Sequence, residues 1–307
     1  MKVITDIYDF SALPCAATVG SFDGVHCGHR AMLAELRTVA NEKGLPLMVV
    51  TFARHPRLLF DGGCEPFLLT TNDEKVALLD SMGVDYCVLL DFDSCMAAMS
   101  AARFMKEVLV GQLGVQLLGV GYDHHFGKPA PDEGLEQYIA YGKELGVEVF
   151  GLSCFRPDGE KISSSMVRRA LAAGDIPSVA RLLGHDFSFS GVVVHGAAIG
   201  RKLGFPTANI DIDDCMKLLP PDGVYEVRVA FDGLLYKGVM NIGVKPTIAD
   251  NLLRTIEVFI VDFSSDIYGH VVEVAVVRCL RGEMEFNNVE ALRLQIESDV
   301  ARVKNGN

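Results

Sequence analysis

The hydrophobic period of this chain changes near residue 185, and no other feature limits its fold as strongly. Upstream, apolar β-rich runs at 16–19, 47–52, 86–90, 115–120 and 147–152 alternate with segments of helical spacing. Within 30–41, for example, Leu33, Leu36 and Ala40 fall on one helical face, and similar patterns predict helices over 73–82, 101–113 and 134–145. Such alternation implies a parallel sheet with helices on both faces, and ligands bind such sheets beyond the carboxyl ends of the strands. Two short helices, 164–173 and 176–183, follow. From Phe187 the helical spacing gives way to alternating strands at 190–194, 224–231, 235–241, 255–263 and 271–280, and Asp232-Gly233 is a hairpin signal. A last helix is expected over 289–303. The expected fold is therefore α/β plus β: a doubly wound domain over 1–185, then a small antiparallel β-barrel with a C-terminal helix over 186–307.

Composition narrows the function classes. With 307 residues, 50% of them hydrophobic and 22% charged, the chain can build two cores. The net charge of −12 argues against a general nucleic-acid binder, which needs a basic face. Eight cysteines, at 15, 27, 64, 87, 95, 154, 215 and 279, include no CxxC pair, so neither a zinc site nor a disulfide framework is expected. No apolar run has the ~18 residues of a membrane helix, and MKVITDIYDF lacks the apolar core of a signal peptide, so a soluble cytoplasmic protein is expected. Nothing calls for an obligate protein partner.

The first constellation is Gly20-Ser21-Phe22-Asp23-Gly24-Val25-His26-Cys27-Gly28-His29, between the first strong strand and the first long helix. Unpaired N–H groups at a helix start sit at the positive end of its dipole and suit phosphate. His26 and His29, three residues apart, can face one ligand and donate to oxygens that gain charge as pyrophosphate leaves. GSFDGVHCGH resembles the GxFDGVHxGH signature of prokaryotic FAD synthetases, a branch of the HxGH nucleotidyltransferases. Ile162-Ser163-Ser164-Ser165-Met166-Val167-Arg168 is similar to the ISSTxxR segment of the same group, with Ser165 replacing threonine. A serine run opening a helix offers hydroxyl and N–H donors, and Arg168 shares a face with Ser164.

Two segments depart from the family pattern. Gly121-Tyr122-Asp123-His124-His125-Phe126-Gly127 stands where GxDFxFG is usual, with His124 at an aromatic position, and only Asp123 is carried over, as a flavin contact. A metal at His124 and His125 is not expected, because adjacent strand residues point to opposite faces. Thr51-Phe52-Ala53-Arg54-His55-Pro56 resembles TFxPHP, with Arg54 in place of the first proline; a turn after a strand explains it equally well.

The second constellation, Gly196 to Asn209, contains Gly200-Arg201-Lys202-Leu203-Gly204-Phe205-Pro206-Thr207-Ala208-Asn209. It is not a Walker loop, since no GK[ST] follows at the required spacing, but glycine-rich backbone can still cradle phosphates. Thr207 and Asn209 fall on one side of an extended segment and supply hard oxygens suited to Mg²⁺. GRKLGFPTAN resembles the GRxLGFPTAN signature of riboflavin kinases. In the apolar run 255–263, Glu257 is either an edge or arginine-paired residue, Arg281 being one partner, or a general base. The matching IEV segment of flavokinases implies the base. Gly238–Gly243, which contains Asn241, and Leu280-Arg281 extend the likeness to nearly the whole chain.

The resemblance thus implies a bifunctional riboflavin kinase and FAD synthetase, an enzyme that phosphorylates riboflavin to FMN and adenylates FMN to FAD, with ATP as co-substrate and Mg²⁺. It implies catalytic roles for Glu257, His26, His29 and Arg168. ATP or phosphate would contact Gly20, Phe22, Asp23, Gly24, Gly28, Ser163, Ser164, Ser165, Gly200, Arg201, Gly204, Pro206 and Asn209. Flavin would contact Asp123, Asn241 and Arg281, and Mg²⁺ would lie on Thr207 and Asn209. Two rival readings are a changed acceptor in the first domain and a non-catalytic flavin-sensing module.

Overall fold

The structure is a computed structural model that describes residues 1–55, 66–122, 126–127, 133–196, 200, 203–246 and 252–306. The chain divides into two compact units: 1–65 with 72–163, and 66–71 with 164–307.

In the first unit the strands are β1 (Lys2–Ile4), β2 (Cys15–Val19), β3 (Leu47–Phe52), β4 (Tyr86–Leu90), β5 (Val115–Val120) and β6 (Glu148–Gly151). They pair in parallel in the order β1-β4-β3-β2-β5-β6. Between them run α1 (Cys27–Glu42), α2 (Asn72–Ser81), α3 (Ser94–Ala97), α4 (Ala101–Phe104) and α5 (Leu135–Leu145). Both faces of the sheet are buried, as parallel sheets require. Ala17, Val19, Met48 and Val50 join one core cluster with α4, while Ala16, Leu47 and Val49 join the other with Leu33, Leu36 and Ala40 of α1. The chain leaves β2 for β3 on one side and returns to β5 on the other. This is the topological switch point where such sheets hold ligands.

Three elements of this unit differ from the expected pattern, and α3, a single turn, is one of them. β1 is a three-residue edge strand, too short to show a period. The helix expected over 101–113 is α-helical only to Phe104 and widens to a π-helix over Met105–Gln112. A Cβ on Gly111 would stand 3.1 Å from the Lys106 carbonyl oxygen, so this wider turn leaves little room for a side chain there.

The second unit opens with α6 (Ser164–Ala172) and α7 (Ile176–Leu183). Its six strands, β7 (Phe187–Val194), β8 (Ala208–Asp211), β9 (Gly223–Phe231), β10 (Leu234–Pro246), β11 (Leu252–Ile260) and β12 (Val271–Arg281), close a barrel in the order β10-β11-β8-β7-β12-β9. All of its pairings are antiparallel. Alternate residues such as Met240, Ile242, Ile256, Val258 and Val274 are buried, the period-2 pattern of a filled barrel. The C-terminal helix α8 (Val289–Asn305) packs against β10, with Ile296, Val300 and Val303 on Val224, Val239 and Leu280. Segment 66–71 belongs to this unit. The N–H groups of Phe67 and Leu68 donate to the Met216 carbonyl at 2.8 Å, and Leu218 N–H donates to that of Leu68. Lys217, 3% exposed, donates to the carbonyls of Leu69 and Ser188 at 2.7 Å each.

Candidate active sites

At the switch point the loop from β2 to α1 is tightly wound. Gly20 N–H donates to the Val50 carbonyl at 3.0 Å, and the Thr51 hydroxyl donates to that of Ser21 at 3.0 Å. Phe22, Gly24 and Val25 all adopt positive φ (49°, 80° and 39°). For a phenylalanine and a β-branched valine this is strained backbone, held by burial, since both side chains are fully enclosed. Asp23, between them, is 2% exposed.

His26 caps α1. Its Nδ1 accepts the His29 backbone N–H at 3.3 Å, which leaves the proton of the neutral ring on Nε2, the atom that can donate to a phosphate oxygen. The His26 and His29 rings stack with centroids 3.7 Å apart, and the Phe22 ring supports His29 from 4.9 Å. Gly28 is needed for space: a Cβ there would stand 3.1 Å from the His26 ring and 3.5 Å from the Ile162 carbonyl oxygen. Ile162 and Ser163 therefore run beside the start of α1 within the first unit. Ser164 and Ser165 open α6 in the second unit. On that helix Arg168 places its guanidinium 3.8 Å over the Phe67 ring and donates from Nε to the Phe67 carbonyl at 2.9 Å. Asp123, His124 and His125 lie outside the described residues.

Lys75 also belongs to this region, and the motifs did not reveal it. On α2 it is 6% exposed and donates to the Phe52 carbonyl, at the carboxyl end of β3, at 3.0 Å. Burial pushes its ammonium below the ordinary lysine range, with the Asp23 carboxylate and Cys87 opposing the shift. Its signal in the sequence was a cation four residues before Leu79, on the buried stripe of a helix.

In the barrel, register assembles the second site. Asn209 lies opposite Glu257, Glu257 opposite Asn241, Asn241 opposite Val224, and Val224 opposite Arg281. Directly opposed residues share a face, so side chains from five strands form one row around the barrel. Beside this row is a cavity of about 700 Å³ that Glu257, Asn241 and Arg281 line together with Phe205, Phe259 and Phe286. That is the size and character of a small-molecule site. The Thr207 hydroxyl donates to Glu257 Oε2 at 3.2 Å. Arg281 pairs with Asp299 at 2.9 Å and not with Glu257.

Thr207 also lines a second, smaller cavity of about 160 Å³, with Pro206, Ala208 and residues 263–268. Thr207 thus lines both cavities. Leu203 and Phe205 donate their N–H groups to the Gly200 carbonyl at 3.0 and 2.8 Å, which folds the loop back on itself, and Gly204 takes φ 88° in that turn. A Cβ on Gly196 would overlap the Asn209 amide at 2.1 Å, and one on Gly200 would stand 2.3 Å from the Phe205 carbonyl oxygen, so a side chain at either position would displace its neighbour. Arg201 lies outside the described residues.

The FAD synthetase family matches residues 11–166 and the riboflavin kinase family matches 183–306. The bifunctional riboflavin kinase/FMN adenylyltransferase of Escherichia coli (strain K12) is 39% identical over 305 residues, 97% of this chain and 96% of its own length. The enzyme of the same name from Pseudomonas fluorescens is 40% identical over 291 residues, 94% of this chain and 92% of its own. A crystal structure from Streptococcus pneumoniae, described as a macrolide-efflux protein, superposes with a TM-score of 0.87 at 30% identity, covering 99% of this chain and 98% of that one. No helix among the described residues is long and apolar enough to cross a membrane. Two family matches in tandem, and whole-length likeness to relatives carrying both activities, show that the chain belongs to the bifunctional riboflavin kinase/FMN adenylyltransferase family.

Proposed function

We infer that the chain makes FAD from riboflavin in two in-line transfers on separate sites, adenylation within residues 1–185 and phosphorylation within 186–307. The observation that carries the kinase half is the row Asn209–Glu257–Asn241–Val224–Arg281 beside a cavity lined by Phe205, Phe259 and Phe286 and by charged side chains. The phenylalanine-lined cavity takes the riboflavin ring, and the smaller cavity that Thr207 also lines takes the nucleotide. Glu257 accepts the proton of the 5′-hydroxyl, whose oxygen forms a bond to the γ-phosphorus as the bond to ADP breaks. Thr207 holds Glu257 in orientation.

The Thr207 hydroxyl and the Asn209 side-chain carbonyl supply hard oxygens, with the Gly196 backbone packed against Asn209, and this pair fits Mg²⁺. When bound, the ion would neutralise charge on the triphosphate.

In the first site an FMN phosphate oxygen forms a bond to the α-phosphorus of a second ATP as pyrophosphate departs. His26 and His29 donate to the oxygens that gain charge, and the loop 20–24 binds phosphate through its N–H groups. The serines 163–165 and Arg168 take the triphosphate, an assignment supported by their likeness to ISSTxxR. The need for ATP and the free thiols among the described cysteines support a reducing, cytoplasmic setting.

The test is incubation with riboflavin, ATP and Mg²⁺, followed by chromatography of the flavins. FMN should form and then FAD, and both should stop when EDTA removes the metal. FMN without any FAD would remove the adenylation half.

A further inference from the structure

Among the described residues, Arg281 is the single cation that lines the 700 Å³ cavity, which is also lined by Glu257, Glu283, Glu285 and Asp299. In the proposed reaction the phosphoryl group is transferred beside Glu257 and Thr207, which line this cavity, and it needs a donor held in place against these negative charges. Asp299, on α8, is 1% exposed at its side chain and accepts Arg281 Nε at 2.9 Å through Oδ2. Its other oxygen accepts the Gln295 amide at 3.0 Å. Arg281 Nη1 donates to the Gly282 carbonyl at 3.2 Å, and Phe286 lies 5.7 Å from the guanidinium carbon. Nη2 has no protein partner among the described residues. Three contacts thus fix the plane of the guanidinium, and its remaining edge belongs to a side chain that lines the cavity.

We propose that Asp299 is a positioning residue of the kinase site, acting from the C-terminal helix through Arg281 so that Nη2 is presented to the phosphoryl group in transfer. The inference rests on the reading of this cavity as the kinase site. A buried carboxylate is a poor choice for stability alone, because an apolar pair of similar size does as well or better. It is a good choice for holding an arginine fork at one angle, since small errors of position there slow a transfer strongly.

The experiment measures riboflavin phosphorylation by D299N, R281A and the double variant in the full chain, with FAD synthesis from supplied FMN as the internal control. D299N should lower the phosphorylation kcat by ~10–10²-fold, move the KM for riboflavin by less than about threefold, and leave adenylation unchanged. In the R281A background D299N should add less than about a twofold effect, because the residue it positions is gone. An equal loss in both backgrounds, or a D299N kinase at the wild-type rate, would overturn the proposal. Wild-type phosphorylation by R281A would instead overturn the assignment of Arg281, and with it the pairing. If D299N does not fold, R281M/D299L removes both charges without leaving one buried alone. That variant should fold, adenylate FMN normally and fail as a kinase, and normal kinase activity would again overturn the proposal.

Discussion

The hydroxyl of Thr207 donates to Glu257 across 3.2 Å, joining the loop before β8 to the middle of β11, 50 residues away in sequence. Thr207 lines both the 700 Å³ and the 160 Å³ cavity. E257Q keeps the shape of this contact but loses the proton acceptor. Riboflavin phosphorylation should fall by ~10²–10⁴-fold while FAD synthesis from supplied FMN stays intact. A normal FMN yield from riboflavin would return Glu257 to a structural role.

The stacked His26 and His29 rings make the opposite cut. H29A removes one preorganised donor, so FAD formation should slow by ~10²–10³-fold while FMN accumulates from riboflavin. Adenylation within a few-fold of the parent would take His29 out of the chemistry.

Gly196 tests the loop over Asn209. In G196A the new methyl overlaps the Asn209 amide, which must shift from its present position. Phosphorylation should drop by ~10²-fold with little change in melting temperature, as displacement of a site residue requires. An unchanged rate would mean that the position of Asn209 is immaterial.

The thiols should separate by burial. Burial pushes Cys15 up to about 12 and Cys87 up to about 11, whereas Cys95, Cys215 and Cys279 are exposed. At pH 8 peptide mapping after alkylation should find the three exposed cysteines modified, and Cys15 and Cys87 modified only after denaturation. A raised thiol pKa also means that the folded chain keeps protons which the unfolded chain releases above the ordinary value of 9.0. Stability should therefore fall as pH rises past that value. Urea midpoints at pH 8 and pH 10 check the sign, and in C15A the difference should shrink.

The barrel should depend on the helices before it. Ile176, Val179 and Leu183 of α7 are buried, and this helix packs on β7 and β12. A fragment of residues 164–307 should melt at least ~5 °C above one of 184–307, which exposes those faces. Equal melting temperatures would show that α7 contributes nothing to barrel stability.

Much of this architecture could be read from periodicity. The strands at 47–52, 86–90 and 115–120 lie where continuous apolar runs put them, because this sheet buries both faces, and the helix at 176–183 lies where its helical apolar spacing put it. What escaped depends on long-range pairing. The backbone bonds of Phe67 and Leu68 to Met216, the burial of Lys75 and the pairing of Asp299 with Arg281 carry no local signature. The motifs named Asn209, Asn241, Glu257 and Arg281 separately. Their row exists only through the register of β8, β9, β10, β11 and β12, which no segment encodes alone.

The central claim is that one chain carries two separate transfer sites, and complementation measures it most directly. E257Q and H29A are incubated with riboflavin and MgATP, singly and mixed, and the flavins are separated by chromatography. E257Q alone should leave riboflavin untouched, H29A alone should stop at FMN, and the mixture should make FAD, because FMN released by one variant is adenylated by the other. Loss of both activities in either single variant, or a mixture in which FMN accumulates and no FAD forms, would contradict two independent sites.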